Sequence, residues 1–405
     1  MLLASALIAS AAEVPRVQLG SEVLAAGGFK ELAGRRVGLI TNPSGVSRRL
    51  ESTIEVLRRA PGVKLVALFG PEHGIYGDVP AGDKVESRTD VRTGLPVHSL
   101  YGATRKPTAA MLRELDVVVY DLQDTGSRSY TFISTMGLAM EACAEAGVEF
   151  IVLDRPNPLG GLRVEGPRLG DERLRSFVSQ WNVPYVYGLT CGELARMING
   201  SGWLKKPCRL TVVPMRGWTR PMAFDQTGLP WVMPSPNLPT FDSAIVYPGT
   251  VLFEGTNVSE GRGTTRPFEL VGAPWVYPET FAASLNAKQL PGVYFRPAGF
   301  EPTFQKHARK PCGGCQVHVT DRQRFRPLDT AVALIEAFRA TGGDRFQWRD
   351  PPYEYEATQM PIDILYGSSG LRDAFAAGAT TADITTSWTA PLEAFRPIRE
   401  KFLLY

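Results

Sequence analysis

Short, nearly unbroken apolar runs alternate with stretches of helical spacing through the first part of the chain. The runs are RRVGLITN (35–42), VKLVALFG (63–70), GLPVHSLYG (94–102), DVVVYDLQD (116–124) and VEFIVLDRPNP (148–158). Between them, the second half of PSGVSRRLESTIEVLRRA, then KPTAAMLREL with Pro107 near its start, and TFISTMGLAMEACAEAG ending at Gly147 carry helical spacing. Continuous rather than alternating apolar strands, interleaved with helices, predict a parallel sheet covered on both faces. After about residue 165 the rhythm changes. LTCGELARMING predicts a helix and CRLTVVPMRGW a strand, before a polar, turn-rich stretch over 231–274. GGCQVHVTD then predicts a strand, PLDTAVALIEAFRAT and GSSGLRDAFAAG helices, and APLEAFRPIREKFLLY a closing helix interrupted at Pro397. The expectation is an α/β protein with domains at 20–165 and 166–405, the loops of the second facing the first.

Composition narrows the class. A chain of 405 residues exceeds the usual size of a single core. With 44% hydrophobic and 21% charged residues it reads as an ordinary globular protein, and a net charge of +3 does not suggest nucleic acid as a partner. The first residues, MLLASALIASAAEV, resemble the apolar region and cleavage site of a secretory signal over 1–12, without its basic leader. That segment is too short to span a membrane, and no later stretch is apolar for long enough. Export to the periplasm or beyond is therefore expected, or a cytoplasmic location if the segment is not a signal. Of five cysteines, Cys312 and Cys315 form one CxxC. A lone pair is weak zinc evidence; a disulfide or two buried thiols fit it better. Neither GxGxxG after the first strand nor a phosphate loop occurs, so no nucleotide cofactor is expected. No metal is expected either.

In parallel sheets ligands sit outside the carboxyl ends of the strands. That rule gathers Asn42, Glu72, His73, Asp121, Asp124, Asp154 and Arg155 along one rim. The segment FGPEHG poses the sharpest question, since a turn uses its Gly and Pro but has no need of Glu72 or His73. HExxH is absent, so a zinc-peptidase reading fails. In YDLQDTGSRSY, Asp124 or Ser127 could cap the next helix. Arg128 is ill placed for that duty and reads as a ligand-facing cation or a partner of Asp121. LFEGTNVSEGRGTTRPFE adds Glu254, Asn257, Glu260, Arg262 and Arg266 among glycines that permit close backbone approach. FQKH adds Lys306 and His307, pairs more often found on surfaces.

Taken in order, GLITNPSG, ALFGPEHGIYGD, YDLQDTGSRSYTFISTM, LDRPNPLGG, MPSPNLPT, YPGTVLFEGTNVSEGRGTTRPFE and FQKH resemble the bacterial exo-β-N-acetylmuramidases, from about Gly20 to the C-terminus. This is a glycoside hydrolase family once known only as a domain of unknown function. The resemblance implies a Rossmann-like first domain without nucleotide, a second α/β domain and a cleft between them. It also implies release of N-acetylmuramic acid from non-reducing ends of peptidoglycan fragments. Glu72, with apolar neighbours to keep its proton, is the expected general acid, aided by His73. The partner carboxylate stays open, with Asp121 and Asp124 among the catalytic candidates; if Glu72 only anchors sugar hydroxyls, Asp121, Asp124 or Glu260 is the alternative acid. Arg128, Arg262 and Arg266 are candidates for the anionic lactyl group, since Arg binds carboxylates in bidentate fashion. Asn42, Asp154, Glu254 and Asn257 complete the expected substrate contacts. A competing reading is an exported muropeptide or sugar-acid binder without turnover, though an acidic rim suits an anionic ligand poorly unless it does chemistry.

Overall fold

The computed structural model describes residues 17–405, so the expected signal segment lies outside the described residues. Seven strands form the first sheet: β1 (Arg36–Thr41), β2 (Lys64–Gly70), β3 (Arg88–Thr89), β4 (Pro96–Ser99), β5 (Val117–Asp121), β6 (Glu149–Leu153) and β7 (Leu210–Val213). Their order is β3-β4-β2-β1-β5-β6-β7, parallel throughout except for the short edge strand β3. The sheet therefore reaches beyond residue 165, where the change of rhythm suggested a boundary, and takes its last strand from 210–213.

Alternation along β5 shows why its apolar run is unbroken. Val117 and Val119 face one core with Leu24, Leu39 and Leu57, while Val118 and Tyr120 face the other with Phe132, Met136 and Phe150. The first face is covered by helices Gly20–Ala26 and Thr53–Arg59, the second by Phe132–Ala146. Gly147, in the left-handed conformation at φ 71°, ends the last of these as the sequence predicts.

A second, antiparallel sheet holds β8 (Leu270–Ala273), β9 (Val293–Phe300) and β10 (Cys312–Val319) in the order β8-β10-β9. Cys312 and Cys315 sit three apart on β10, so they point to opposite faces, and both are free buried thiols. The turn-rich stretch 231–274 is more ordered than its composition suggests. It contains helix Phe241–Thr250 and a 3₁₀ turn, Val251–Gly255, before β8. The closing helix, Thr389–Glu400, runs through Pro397 instead of breaking there. Pro397 is exposed, so the carbonyl it leaves unpaired is open to water. The core on the Phe132–Ala146 side continues without a gap into the second unit, through Tyr247, Phe253, Phe268 and Phe338.

Candidate active site

β2 ends at Gly70, and the chain turns at once through Pro71, Glu72 and His73. His73 and Gly74 both take left-handed φ values, 70° and 74°, which bends the loop back sharply. His73 braces that bend, its Nδ1 lying 2.8 Å from the Val79 carbonyl. The loop returns so that the Gly82 amide donates to Glu72 Oε1 at 3.2 Å. Thr131 Oγ1 donates to the other oxygen, Oε2, at 2.6 Å. Thr131 stands at the start of helix Phe132–Ala146, yet its hydroxyl makes no capping bond to the helix. Each oxygen of the Glu72 carboxyl is thus held by one donor.

Glu72 opens onto an inner cavity of about 40 Å³, lined also by His73, Tyr130, Tyr247, Glu254, Arg262, Tyr353 and Glu354. Beyond it, sharing Ala81 and Arg262, lies an outer cleft of about 780 Å³ between the 77–83 loop and the segments 236–239, 262–267 and 304–305. The inner space suits water-sized groups, and the outer one falls in the range of ligand pockets. Arg262 ties the wall together, pairing with Glu254 and, at 3.2 Å, with Glu260 Oε1. Lys306 Nζ meets Glu260 Oε2 at 2.6 Å and donates to the carbonyls of Phe253 and Val258 at 2.6 and 2.7 Å. Burial alone would raise Glu260, but Lys306 and Arg262 hold it below its ordinary range. Burial lowers Lys306 in turn.

Glu354 was not legible as a site residue. It reaches the cavity from the segment 353–356, with Tyr101 Oη donating to its Oε2 at 2.5 Å. Burial and the neighbouring Glu72 push its carboxyl up to about 8. Tyr353 Oη in turn donates to Glu254 Oε2 at 2.5 Å.

Most of the expected rim does not face this cavity. Asp121 is fully buried and pairs with Arg155 Nε at 2.6 Å, also accepting from Thr53 Oγ1 at 2.5 Å. Asp124 accepts from Tyr187 Oη and from the Gly126 amide. Asp154 accepts from Thr190, Gly192 and Tyr405. Asn42 bonds the Pro234 carbonyl and Ser44, and Asn257 joins Arg345 and Gln347. These polar groups are spent on neighbouring chain, except Asp124 Oδ1, which is buried with no partner among the described residues. Arg128 is not ligand-facing: it is wholly buried and donates to the carbonyls of Pro167, Val183, Leu365 and Tyr366 at 2.6–3.1 Å. Gly367, at φ 90°, makes room for it, since a Cβ there would lie 2.8 Å from Arg128 Nη2. Arg266 stays half exposed, 3.4 Å from Glu269.

A second cleft of about 800 Å³ lies between 159–165 and 319–326. Its arginines are engaged, Arg220 by Glu193 and Arg322 by Asp225 and Asp242. Among the described residues no group of His, Cys, Asp and Glu side chains is arranged to hold a metal ion.

Two α/β units meeting at a cleft whose inner end carries several carboxyls have the parts that glycoside hydrolysis uses, and similarity to known proteins places the chain in that class. The chain belongs to the NamZ exo-β-N-acetylmuramidase family, whose N-terminal and C-terminal descriptions match residues 37–242 and 245–405. It is 46% identical over 394 residues to the peptidoglycan β-N-acetylmuramidase NamZ of Bacillus subtilis, spanning 97% of this chain and 92% of that protein. Two crystal structures of DUF1343 family proteins from Bacteroides fragilis share the fold. The first has a TM-score of 0.88 at 44% identity, the second 0.75 at 29%, each covering 96% of this chain and 99% of its own.

Proposed function

We propose that the protein is an exo-acting β-N-acetylmuramidase that removes N-acetylmuramic acid from the non-reducing ends of peptidoglycan fragments. The observation that carries this reading is the stepped cavity: an outer cleft wide enough for a glycan end narrows to an inner space around Glu72. The glycosidic bond then lies at the junction marked by Ala81 and Arg262, within reach of the carboxyls. Arg262 borders both spaces and is the cation placed to meet a lactyl carboxylate, which it would share with its partners Glu254 and Glu260. Glu72 is a catalytic carboxyl in this reading, and His73 acts by holding its loop. The apolar segment over 1–12 supports action outside the cytoplasm, and cell fractionation tests that. Among the described residues no helix is long and apolar enough to cross a membrane.

The test is incubation with a muramyl-glucosaminyl disaccharide. Free N-acetylmuramic acid is expected, with none of the products from a glucosaminyl-terminated chain. Binding without release of sugar would instead favour a carrier for muropeptides.

A further inference from the structure

We propose that Glu354, rather than Glu72, carries the proton that is delivered to the departing sugar, with Glu72 as the partner carboxyl. This rests on the reading of the site as a muramidase and supplies the second carboxyl which that reading leaves open.

Geometry sets the two groups apart. Glu72 accepts a hydrogen bond on each oxygen, from Thr131 and from Gly82. Glu354 accepts on Oε2 alone, from Tyr101, which leaves Oε1 for a proton. That oxygen points toward Gly82, where a Cβ would lie 3.8 Å from it, and Gly82 is the same residue whose amide holds Glu72 Oε1. The free oxygen of one carboxyl and an accepting oxygen of the other therefore converge on one backbone position.

The segment bearing Glu354 is built to hold it there. Glu354 and Tyr355 take φ values of 46° and 73°, a region that side chains of this size rarely occupy. Strain of this kind persists where the surroundings enforce it, and it clusters at functional sites. Tyr353 and Glu356 close the turn through paired backbone bonds of 2.9 and 2.8 Å. Tyr353 is tied to Glu254, and the Arg105 guanidinium sits 3.6 Å over the Tyr355 ring.

Charge balance points the same way. Glu254 and Glu260 are neutralised by Arg262 and Lys306. Of the carboxyls facing the cavity, Glu72 and Glu354 have no paired cation among the described residues, and an anionic sugar meets less repulsion if one of them is neutral. Burial and the repulsion of Glu72 and Glu254 disfavour charge on Glu354, against the opposing pull of Tyr101 and Arg262. His73, on the same wall, spends its Nδ1 on the Val79 carbonyl.

In the reaction, the Glu354 Oε1 proton passes to the glycosidic oxygen as the bond from C1 to that oxygen breaks. The bonding electron pair leaves with the departing sugar, which exits as a neutral alcohol. The Glu72 carboxylate balances the positive charge at C1. Water then bonds to C1, and its proton returns to Glu354, so the net change is hydrolysis.

Glu354→Gln and Glu72→Gln are to be compared on the muramyl-glucosaminyl disaccharide and on a 4-nitrophenyl muramic glycoside, whose leaving group needs no proton. Glu354→Gln should lose about a hundredfold to ten-thousandfold on the disaccharide and much less on the nitrophenyl substrate. Glu72→Gln should lose heavily on both. The wild-type rate on the disaccharide should fall as pH rises through about 8, and this limb should vanish in Glu354→Gln on the nitrophenyl substrate. Should Glu354→Gln fail to fold, Tyr101→Phe gives a second reading. Loss of a hydrogen bond to the ionised form moves the alkaline limb to higher pH. An unmoved limb, a Glu354→Gln enzyme active on the disaccharide, or leaving-group rescue appearing in Glu72→Gln instead would each overturn the assignment. A wild-type protein that cleaves neither glycoside would overturn the muramidase reading itself.

Discussion

The carboxyls at the ends of β5 and β6 are buried, and so is Glu72 beside the inner cavity, with Glu354 half-buried next to it, yet the two sets are placed differently. Asp121 and Asp154 have every oxygen engaged by their own chain, through Arg155, Thr53, Thr190, Gly192 and Tyr405. Glu72, although each of its oxygens also accepts a hydrogen bond, and Glu354, with one oxygen bonded, both line open space. Burial of an acid therefore says little by itself. What separates framework from chemistry is whether an oxygen faces a cavity after all the partners are counted.

The largest effect expected from this contrast is on stability. Asp121→Asn leaves the buried Arg155 guanidinium without its counter-charge, which should cost about 3–5 kcal/mol. Denaturant unfolding measures the loss, and kcat per folded molecule should be unchanged. A fall in kcat with normal stability would place Asp121 in the chemistry and break the contrast.

A smaller effect, this time on rate, is expected from Thr131→Val. It removes one of two donors to Glu72, and a hydrogen bond to a charged group contributes about 1.5–3 kcal/mol, roughly tenfold to a hundredfold in kcat/KM. The thermal midpoint should move little, because the hydroxyl caps no helix. If stability falls and activity does not, the residue belongs to the framework instead.

Least is expected of Arg266→Ala. Its side chain is 48% exposed and its ion pair is long at 3.4 Å, so about 1 kcal/mol or less is at stake. Activity on muramic glycosides should stay near that of the parent. A selective loss on muramic over glucosamine substrates would move the lactyl-reading role from Arg262 to Arg266.

The first sheet was legible because strands buried on both faces have no polar positions to hide, as β5 shows. Glu72 stood out for a related reason: it follows such a strand at once, in a turn whose Gly and Pro suffice for the bend, and the structure sets it beside the inner cavity. The strand-end acids were found by the same rule, but their roles were not. Nothing near Asp121 in sequence announces Arg155, 34 residues away, as its partner. Arg128 was misread because its acceptors are carbonyls, which any residue supplies and no pattern reveals. Glu354 escaped altogether. It lies in DPPYEYEATQ, at no strand end and beside no glycine, and Tyr101, which fixes it, is 253 residues distant. The helix through Pro397 was misjudged because solvent exposure, rather than residue type, decides what a lost backbone bond costs there.

Arg128 has one further consequence. Its four carbonyl partners come from both units, two from 167 and 183 and two from 365 and 366. A hinge of the kind that shuts two-domain carriers around their cargo would have to strip this rivet and part a shared core. The jaws are locked. The way into the narrow inner space is therefore framed by the short rims at 71–82 and 353–356, not by the spacing of two movable domains.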